Sequence, residues 1–164
     1  MSEKYSAPNG TSVGHVHLKV SDLETALGFY CELLGFDLKS RIGNDAAFLA
    51  AGDYHHHIGL NTWFSKNGSR PNANSTGLFH TAFLYPTRKD LAKILNRIWE
   101  SGYKVDGASD HGVSEAIYLS DPDGNGVELY WDKPLDEWPK SSDGSLEMFT
   151  KALDVQDLLS ELDS

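Results

Sequence analysis

The sequence has a single cysteine, Cys31, and few positive charges for its 164 residues. One cysteine excludes an intrachain disulfide framework and a zinc site built from several thiolates. A net charge of −10 makes duplex nucleic acid and anionic membranes poor partners, because both are negative themselves. No apolar run approaches the ~20 residues of a transmembrane helix. We therefore expect neither partner, and a bound metal would need histidine and carboxylate ligands.

The length and composition are typical of one soluble globular domain. The chain is long enough to bury a working core, and 40% of its residues are hydrophobic. Its first residues, MSEKYSAPNG, contain no apolar signal core, which predicts a cytoplasmic protein.

One pattern of strand, helix and three strands occurs twice, in residues 13–64 and 77–132. The first copy begins with the alternating strand VGHVHLKV and the second with LFHTAFLY. The turn-rich segment 65–77 links them. A βαβββ unit cannot cover its own sheet face, so two copies must pair. The sequence predicts a single α+β domain over residues 13–132, with two βαβββ modules paired into a cup-shaped mixed β-sheet half-barrel.

Capping signals mark the helices. Ser21 with Glu24, and Thr87 with Asp90, have the spacing of N-terminal capping pairs before apolar stripes. Residues 133–164 depart from the repeat and form a C-terminal extension, with a short amphipathic helix capped by Asp154. The extension could serve as a lid or an interface, and we favour a structural strap over exposed core.

The histidines and one glutamate indicate a metal site. All seven histidines lie on predicted strands or in adjacent turns, and His15 and His80 hold matching places on the first strand of each module. Glu128 interrupts the apolar strand GVELYW, where an unpaired carboxylate would be costly to bury. Strand alternation directs these three side chains to the floor of the predicted cup. The alternative is a trio of buried polar residues that satisfy one another through hydrogen bonds.

Two stretches, GHVHLKVSDLETALGFYCELLGF and YLSDPDGNGVELYW, resemble the most characteristic phrases of the vicinal-oxygen-chelate superfamily, which contains glyoxalases, bleomycin-resistance proteins and extradiol dioxygenases. Within this group, the sequence is most similar to type I extradiol dioxygenases of the catechol 2,3-dioxygenase-like kind. The resemblance implies an Fe(II)-dependent enzyme that cleaves a small catecholic substrate with O2, in the breakdown of aromatic compounds. Typical members carry four modules, so for this two-module chain a homodimer is one expectation.

The same resemblance implies roles for individual residues. The metal ligands fall on His15, His80 and Glu128, and two histidines with one carboxylate leave three positions open, as non-haem Fe(II) chemistry requires. The resemblance assigns a catalytic-pocket histidine to His111, in the HGVSEA motif. It assigns a substrate-contacting tyrosine to Tyr118, ten residues before the glutamate. It assigns the acid–base histidine to His56, in a pattern similar to H-x-Ile-Gly-Leu.

Other chemistries of the superfamily stay open. Glyoxalase I-like enzymes carry a second glutamate at the place of Gly59 and bind zinc or nickel. Fosfomycin-resistance transferases use a His-His-Glu set, usually with manganese, and need a cationic pocket, for which Lys19, Arg41 and Arg70 are the candidates in the first half. Antibiotic-sequestering relatives keep the cup without metal ligands. Manganese, zinc and nickel are therefore alternatives to Fe(II).

Overall fold

The computed structural model describes residues 4–72 and 74–163. The first module comprises β1 (Val16–Lys19), α1 (Leu23–Leu27) with a π-helical continuation (Gly28–Leu33), β2 (Asp37–Ile42), β3 (Ala46–Ala50) and β4 (Ile58–Asn61). The second comprises β5 (His80–Leu84), α2 (Arg88–Ser101), β6 (Gly107–Asp110), β7 (Ser114–Ser120) and β8 (Gly126–Asp132). The extension adds β9 (Lys151–Ala152) and α3 (Val155–Ser160). The start of the leader, one residue of the predicted linker and the last residue of the extension lie outside the described residues.

The two modules form two mixed sheets with the same strand order. The sheets run β1-β4-β3-β2 and β5-β8-β7-β6-β9, and in each the first two strands are parallel. Val16 pairs with Ile58, as Thr81 pairs with Val127. His15 and His80 therefore hold equivalent positions, as do Gly59 and Glu128. The α+β class and the repeat are confirmed, and among the described residues no strand ladder joins β1 to β5.

The DPDGNG turn between β7 and β8 joins the modules. The Asp121 carboxylate is only 2% exposed, and it accepts hydrogen bonds from the Tyr30 hydroxyl at 3.0 Å and from the backbone of Asn125. The neighbouring Asp123 accepts from the backbone N–H of Ser21 at 3.0 Å. Burial, reinforced by Asp121, raises the pKa of the Tyr30 phenol. Because a buried carboxylate needs several donors, this turn fixes the first helix against the second module.

The cap of the first helix differs from the sequence prediction. The N-cap of α1 is Asp22, whose carboxylate accepts from the N–H of Thr25 at 2.7 Å, while the predicted cap Ser21 gives its own N–H to Asp123. The three consecutive histidines lie in the turn that precedes β4. In contrast, Thr87 caps α2 as predicted, by accepting from the N–H of Asp90 at 3.0 Å.

The C-terminal extension is strapped to the second module. Leu158 of α3 is fully buried in the hydrophobic cluster that both modules share. The Arg88 guanidinium, at the start of α2, bonds to Glu115 at 2.7 Å, Asp157 at 2.6 Å and Glu161 at 2.9 Å. One cation thus connects the helix, strand β7 and the extension. None of the helices in residues 4–72 and 74–163 has the length and apolar character needed to span a membrane.

Candidate functional site

Four side chains of the second module form a continuous row. His80 opens β5, and its Nε2 lies 2.9 Å from Oε2 of Glu128 on the parallel strand β8. Oε1 of Glu128 accepts a hydrogen bond from the Tyr118 hydroxyl at 3.0 Å, because these two residues are direct partners in the β7–β8 ladder. The Tyr118 hydroxyl lies 2.6 Å from Nε2 of His111. We call His80, Glu128, Tyr118 and His111 the acid–base row.

The far end of the row meets the C-terminal extension. Nδ1 of His111 lies 3.1 Å from the carbonyl oxygen of Phe149 and 3.2 Å from Oγ1 of Thr150. The Tyr118 hydroxyl gives its one hydrogen to Glu128, so Nε2 of His111 is the donor in the contact with Tyr118. In neutral imidazole, Nδ1 is then an acceptor, to which the Thr150 hydroxyl can donate.

The environment of the row keeps the tyrosine protonated. Burial raises the pKa of the Tyr118 phenol, and the hydrogen bond to Glu128 and its negative charge raise that pKa further. The side chain of Glu128 is 12% exposed and that of His80 is 32% exposed. Within the described part of the chain, Nδ1 of His80 is buried without a hydrogen-bond partner. Without a bound metal, the hydrogen of His80 therefore belongs on Nε2, where Glu128 accepts it.

The histidines of the first module form a second cluster. His15 is exposed immediately before β1, and its ring centroid lies 4.5 Å from that of His56. Nδ1 of His56 is 2.7 Å from Nδ1 of His55, and the Phe48 ring lies 5.1 Å from the His56 ring. Partial burial, then the neighbouring imidazoles, lower the pKa of His56. Burial and His15 do the same for His17.

The site residues predicted from sequence therefore fall into two groups. The structure brings together His80, Glu128, Tyr118 and His111, whereas His15 lies with His56. Across residues 4–72 and 74–163, no group of three or more His, Cys, Asp or Glu side chains is placed to hold a metal ion. The imidazole and carboxylate of His80 and Glu128 fit two ligands of a divalent metal. The three-ligand set that includes His15 stays a prediction.

The matching place in the first module cannot supply a further ligand. Gly59 is the equivalent of Glu128, and a Cβ there would lie 2.8 Å from Cδ2 of His17. The imidazole of His17 fills the space that a carboxylate would need. This arrangement disfavours the four-ligand site expected of a glyoxalase I-like enzyme.

Sequence reasoning missed the contribution of Phe149 and Thr150. Phe149 contacts His111 through its backbone carbonyl, which every residue possesses, and Thr150 through a hydroxyl that no sequence motif singles out. The short strand β9 that delivers the carbonyl, Lys151–Ala152, is also too brief to give a periodic signal.

Comparisons with known proteins agree with this architecture. The family model described as "Glyoxalase/Bleomycin resistance protein/Dioxygenase superfamily" matches residues 12–129. The chain is 40% identical over 154 residues to the catechol-2,3-dioxygenase of Bacillus subtilis (strain 168), which covers 92% of this chain and 52% of that protein. It is 33% identical over 122 residues to the metallothiol transferase FosB of Staphylococcus epidermidis, with 73% and 81% coverage. The crystal structure of a glyoxalase/dioxygenase from Nostoc punctiforme aligns with TM-score 0.63 at 20% identity, over 82% of this chain and 100% of that one. The chain thus spans about half the length of the dioxygenase it matches.

Proposed function

We propose that this chain, which belongs to the Glyoxalase/Bleomycin resistance protein/Dioxygenase superfamily, is a metal-dependent extradiol-type dioxygenase that cleaves a small catecholic substrate with O2. The observation that carries the proposal is the acid–base row, which runs without a break from His80 to His111. The 40% identity to a catechol-2,3-dioxygenase supports it.

His80, Glu128 and His15 are the proposed metal ligands. The first two already face each other at 2.9 Å, and His15 holds the equivalent position in the other module. These residues would hold Fe(II), which when bound would supply the electron-transfer chemistry between a catechol and O2. Fe(II) is proposed over manganese, zinc and nickel because two histidines and one carboxylate with open positions are typical of non-haem Fe(II) oxygenases, and zinc has no redox chemistry.

The other side chains of the site would handle protons. Tyr118 would keep its proton at neutral pH and, once a substrate oxygen replaced Glu128 as the acceptor, would donate a hydrogen bond to that oxygen. His111 would orient that phenol through Nε2. The lowered pKa of His56 keeps its imidazole neutral, so His56 could accept the proton that a catechol hydroxyl loses on binding.

A second candidate is a metal-dependent thiol transferase, which the similarity to FosB favours. A phosphonate substrate would require cations that are free to bind it. Arg41 is instead paired with Glu24, and Arg70 donates to the carbonyl oxygen of Pro122 at 2.8 Å. These contacts occupy two of the three candidate cations and rank the transferase second.

The test separates these functions by metal and by substrate. Apoprotein is loaded under anaerobic conditions with Fe(II), Mn(II) or Zn(II), and O2 uptake and the yellow ring-opened semialdehyde are followed with catechol and with methylcatechols. We expect product with Fe(II), at one O2 consumed per semialdehyde formed. Absence of semialdehyde with every metal, together with thiol consumption in the presence of fosfomycin and Mn(II), would replace the dioxygenase with the transferase.

A further inference from the structure

We infer that Asp110 and Lys133 are positioning residues for the site, because together they fix the turn that carries His111. Both act through His111, the last member of the acid–base row. The catalytic consequence rests on the function proposed above, whereas the geometry of the turn does not.

The connection between β6 and β7 presents His111 on a loop of three residues, 111–113. The N–H of His111 donates to the carbonyl oxygen of Ser114 at 2.9 Å, which closes the loop. Gly112 follows with φ +81°, and a Cβ there would lie 2.7 Å from Cε1 of Phe149. Only a glycine permits both this left-handed conformation and this close approach. The backbone after His111 is therefore committed to a left-handed turn.

The carboxylate of Asp110 holds this turn closed. Its Oδ1 accepts a hydrogen bond from the N–H of Gly112 at 2.8 Å, so the contact spans His111. An aspartate that accepts from the backbone two residues later forms an Asx turn. Because the Asx turn fixes the backbone of the residue between its ends, the imidazole of His111 leaves the backbone in a defined direction.

Lys133 in turn fixes the carboxylate. Its Nζ lies 2.9 Å from both Oδ1 and Oδ2 of Asp110, and its side chain is 19% exposed. Lys133 is the first residue after β8, and its own N–H donates to the carbonyl oxygen of Val113 at 2.9 Å. The end of β8 is thus tied to both sides of the turn. Burial alone would raise the pKa of Asp110, but hydrogen bonds from Lys133 and from the N–H of Gly112 hold it below its ordinary value, so the carboxylate is ionised at neutral pH.

The position of the imidazole matters because of its short contact with Tyr118. Nε2 of His111 donates to the Tyr118 oxygen at 2.6 Å, and the Tyr118 hydroxyl donates to Glu128. Hydrogen bonds in such a chain polarise one another, so the donor at its oxygen makes the Tyr118 hydroxyl a stronger donor itself. Once a substrate oxygen replaced Glu128 as the acceptor, the same polarisation would strengthen the hydrogen bond to substrate. A displaced His111 would lose this effect while the surface that binds the substrate stays the same.

Four variants of the full chain test the inference. Asp110→Ala removes the acceptor of the turn, whereas Asp110→Asn keeps a side-chain oxygen to which Gly112 and Lys133 can both donate. Lys133→Met removes the cation and keeps most of the side-chain length. Lys104→Met is the matched control, because it breaks an ion pair of 2.8 Å that lies just before β6 and whose lysine is 84% exposed.

The position of the ring is measured first, in protein without metal or substrate. NMR records nuclear Overhauser effects between the ring hydrogens of His111 and Tyr118, and the His111 signals are assigned by their absence from a His111→Gln variant. We expect these effects in the unmodified chain, in Asp110→Asn and in Lys104→Met, and markedly weaker ones in Asp110→Ala and Lys133→Met. Unaltered effects in Asp110→Ala and Lys133→Met would overturn the inference. If Asp110→Ala does not fold, Lys133→Met decides the outcome.

Kinetics of the Fe(II)-loaded protein with catechol then measure the catalytic consequence. We expect kcat to fall about 10-fold in Asp110→Ala and about fivefold in Lys133→Met, and less than about twofold in Asp110→Asn and Lys104→Met, with KM within about twofold throughout. In a His111→Gln background, Asp110→Ala and Lys133→Met should each change kcat by less than about twofold, because the ring that they position is gone. Losses of equal size in both backgrounds would show a merely structural role and overturn the inference. The expected NMR changes in a protein that cleaves no ring, even unmodified, would overturn the dioxygenase proposal alone.

Discussion

The two modules share one backbone plan and differ in what their equivalent positions do. Both have the same strand order and the same register between the first and last strands. In the second module, Glu128 is linked to His80 and Tyr118. In the first, Gly59 stands in the equivalent place and the ring of His17 covers it. A repeated backbone therefore does not repeat its chemistry, because one module has a carboxylate where the other has a glycine covered by an imidazole.

The modules also differ in how their helices are tied down. In the second module, Arg88 has a side chain 18% exposed and bonds to three carboxylates. In the first, Arg41 pairs with Glu24, whose side chain is 71% exposed. A buried charged group depends on its ion-pair partners for stability, whereas solvent screens an exposed ion pair.

The largest effect is expected from removing Arg88, the cation that links α2 with strand β7 and the C-terminal extension. Arg88→Ala leaves Glu115, which is 7% exposed, without its cation and should lower the free energy of unfolding by about 3 kcal/mol. Arg41→Ala, the matched change in the first module, should cost less than about 1 kcal/mol. Urea unfolding followed by circular dichroism compares the two variants. Equal losses would contradict the difference in burial.

The next effect concerns the carboxylate that distinguishes the modules. Glu128→Gln keeps the size of the side chain and removes its charge, so ring cleavage by the Fe(II)-loaded protein should fall about 100-fold or more. The affinity for Fe(II) should fall with it, as measured by competition with a chelator. Glu147→Gln, at an exposed position of the extension, is the control and should retain full activity. A Glu128→Gln variant with normal metal affinity would remove Glu128 from the ligand set.

The smallest effect is expected from crowding the contact between the imidazole of His17 and Gly59. Gly59→Ala places a Cβ against His17 and should lower the free energy of unfolding by about 1–3 kcal/mol. In a His17→Ala background, the same change should cost less than about 0.5 kcal/mol, because the obstructing ring is gone. Thermal unfolding of the four proteins in this cycle gives the coupling. Identical costs in both backgrounds would show that His17 does not define the difference between the modules.

Much of the fold could be predicted because its signals are local. Thr87 caps α2 through a neighbouring backbone N–H, and alternation in VGHVHLKV places Leu18 in the core and leaves His17 exposed. A capping motif predicts the wrong cap where a tertiary contact takes the same residue. Ser21 gives its N–H to Asp123, and Asp22 caps α1 instead. The neighbours of His15 were beyond prediction for a similar reason, since its contact with His56 depends on how the turn before β4 folds back.

Local sequence signals were enough to predict the two βαβββ modules, the equivalence of His15 with His80, and the place of Glu128 on the last strand, because strand period and helix capping act over a few neighbouring residues. The meeting of His80, Glu128, Tyr118 and His111 in one row, and the contact of Phe149 with its end, follow from tertiary structure alone. Those contacts join residues up to 48 positions apart, counted from His80 to Glu128, and depend on strand pairing and a backbone carbonyl, neither of which is written in the type of any single residue.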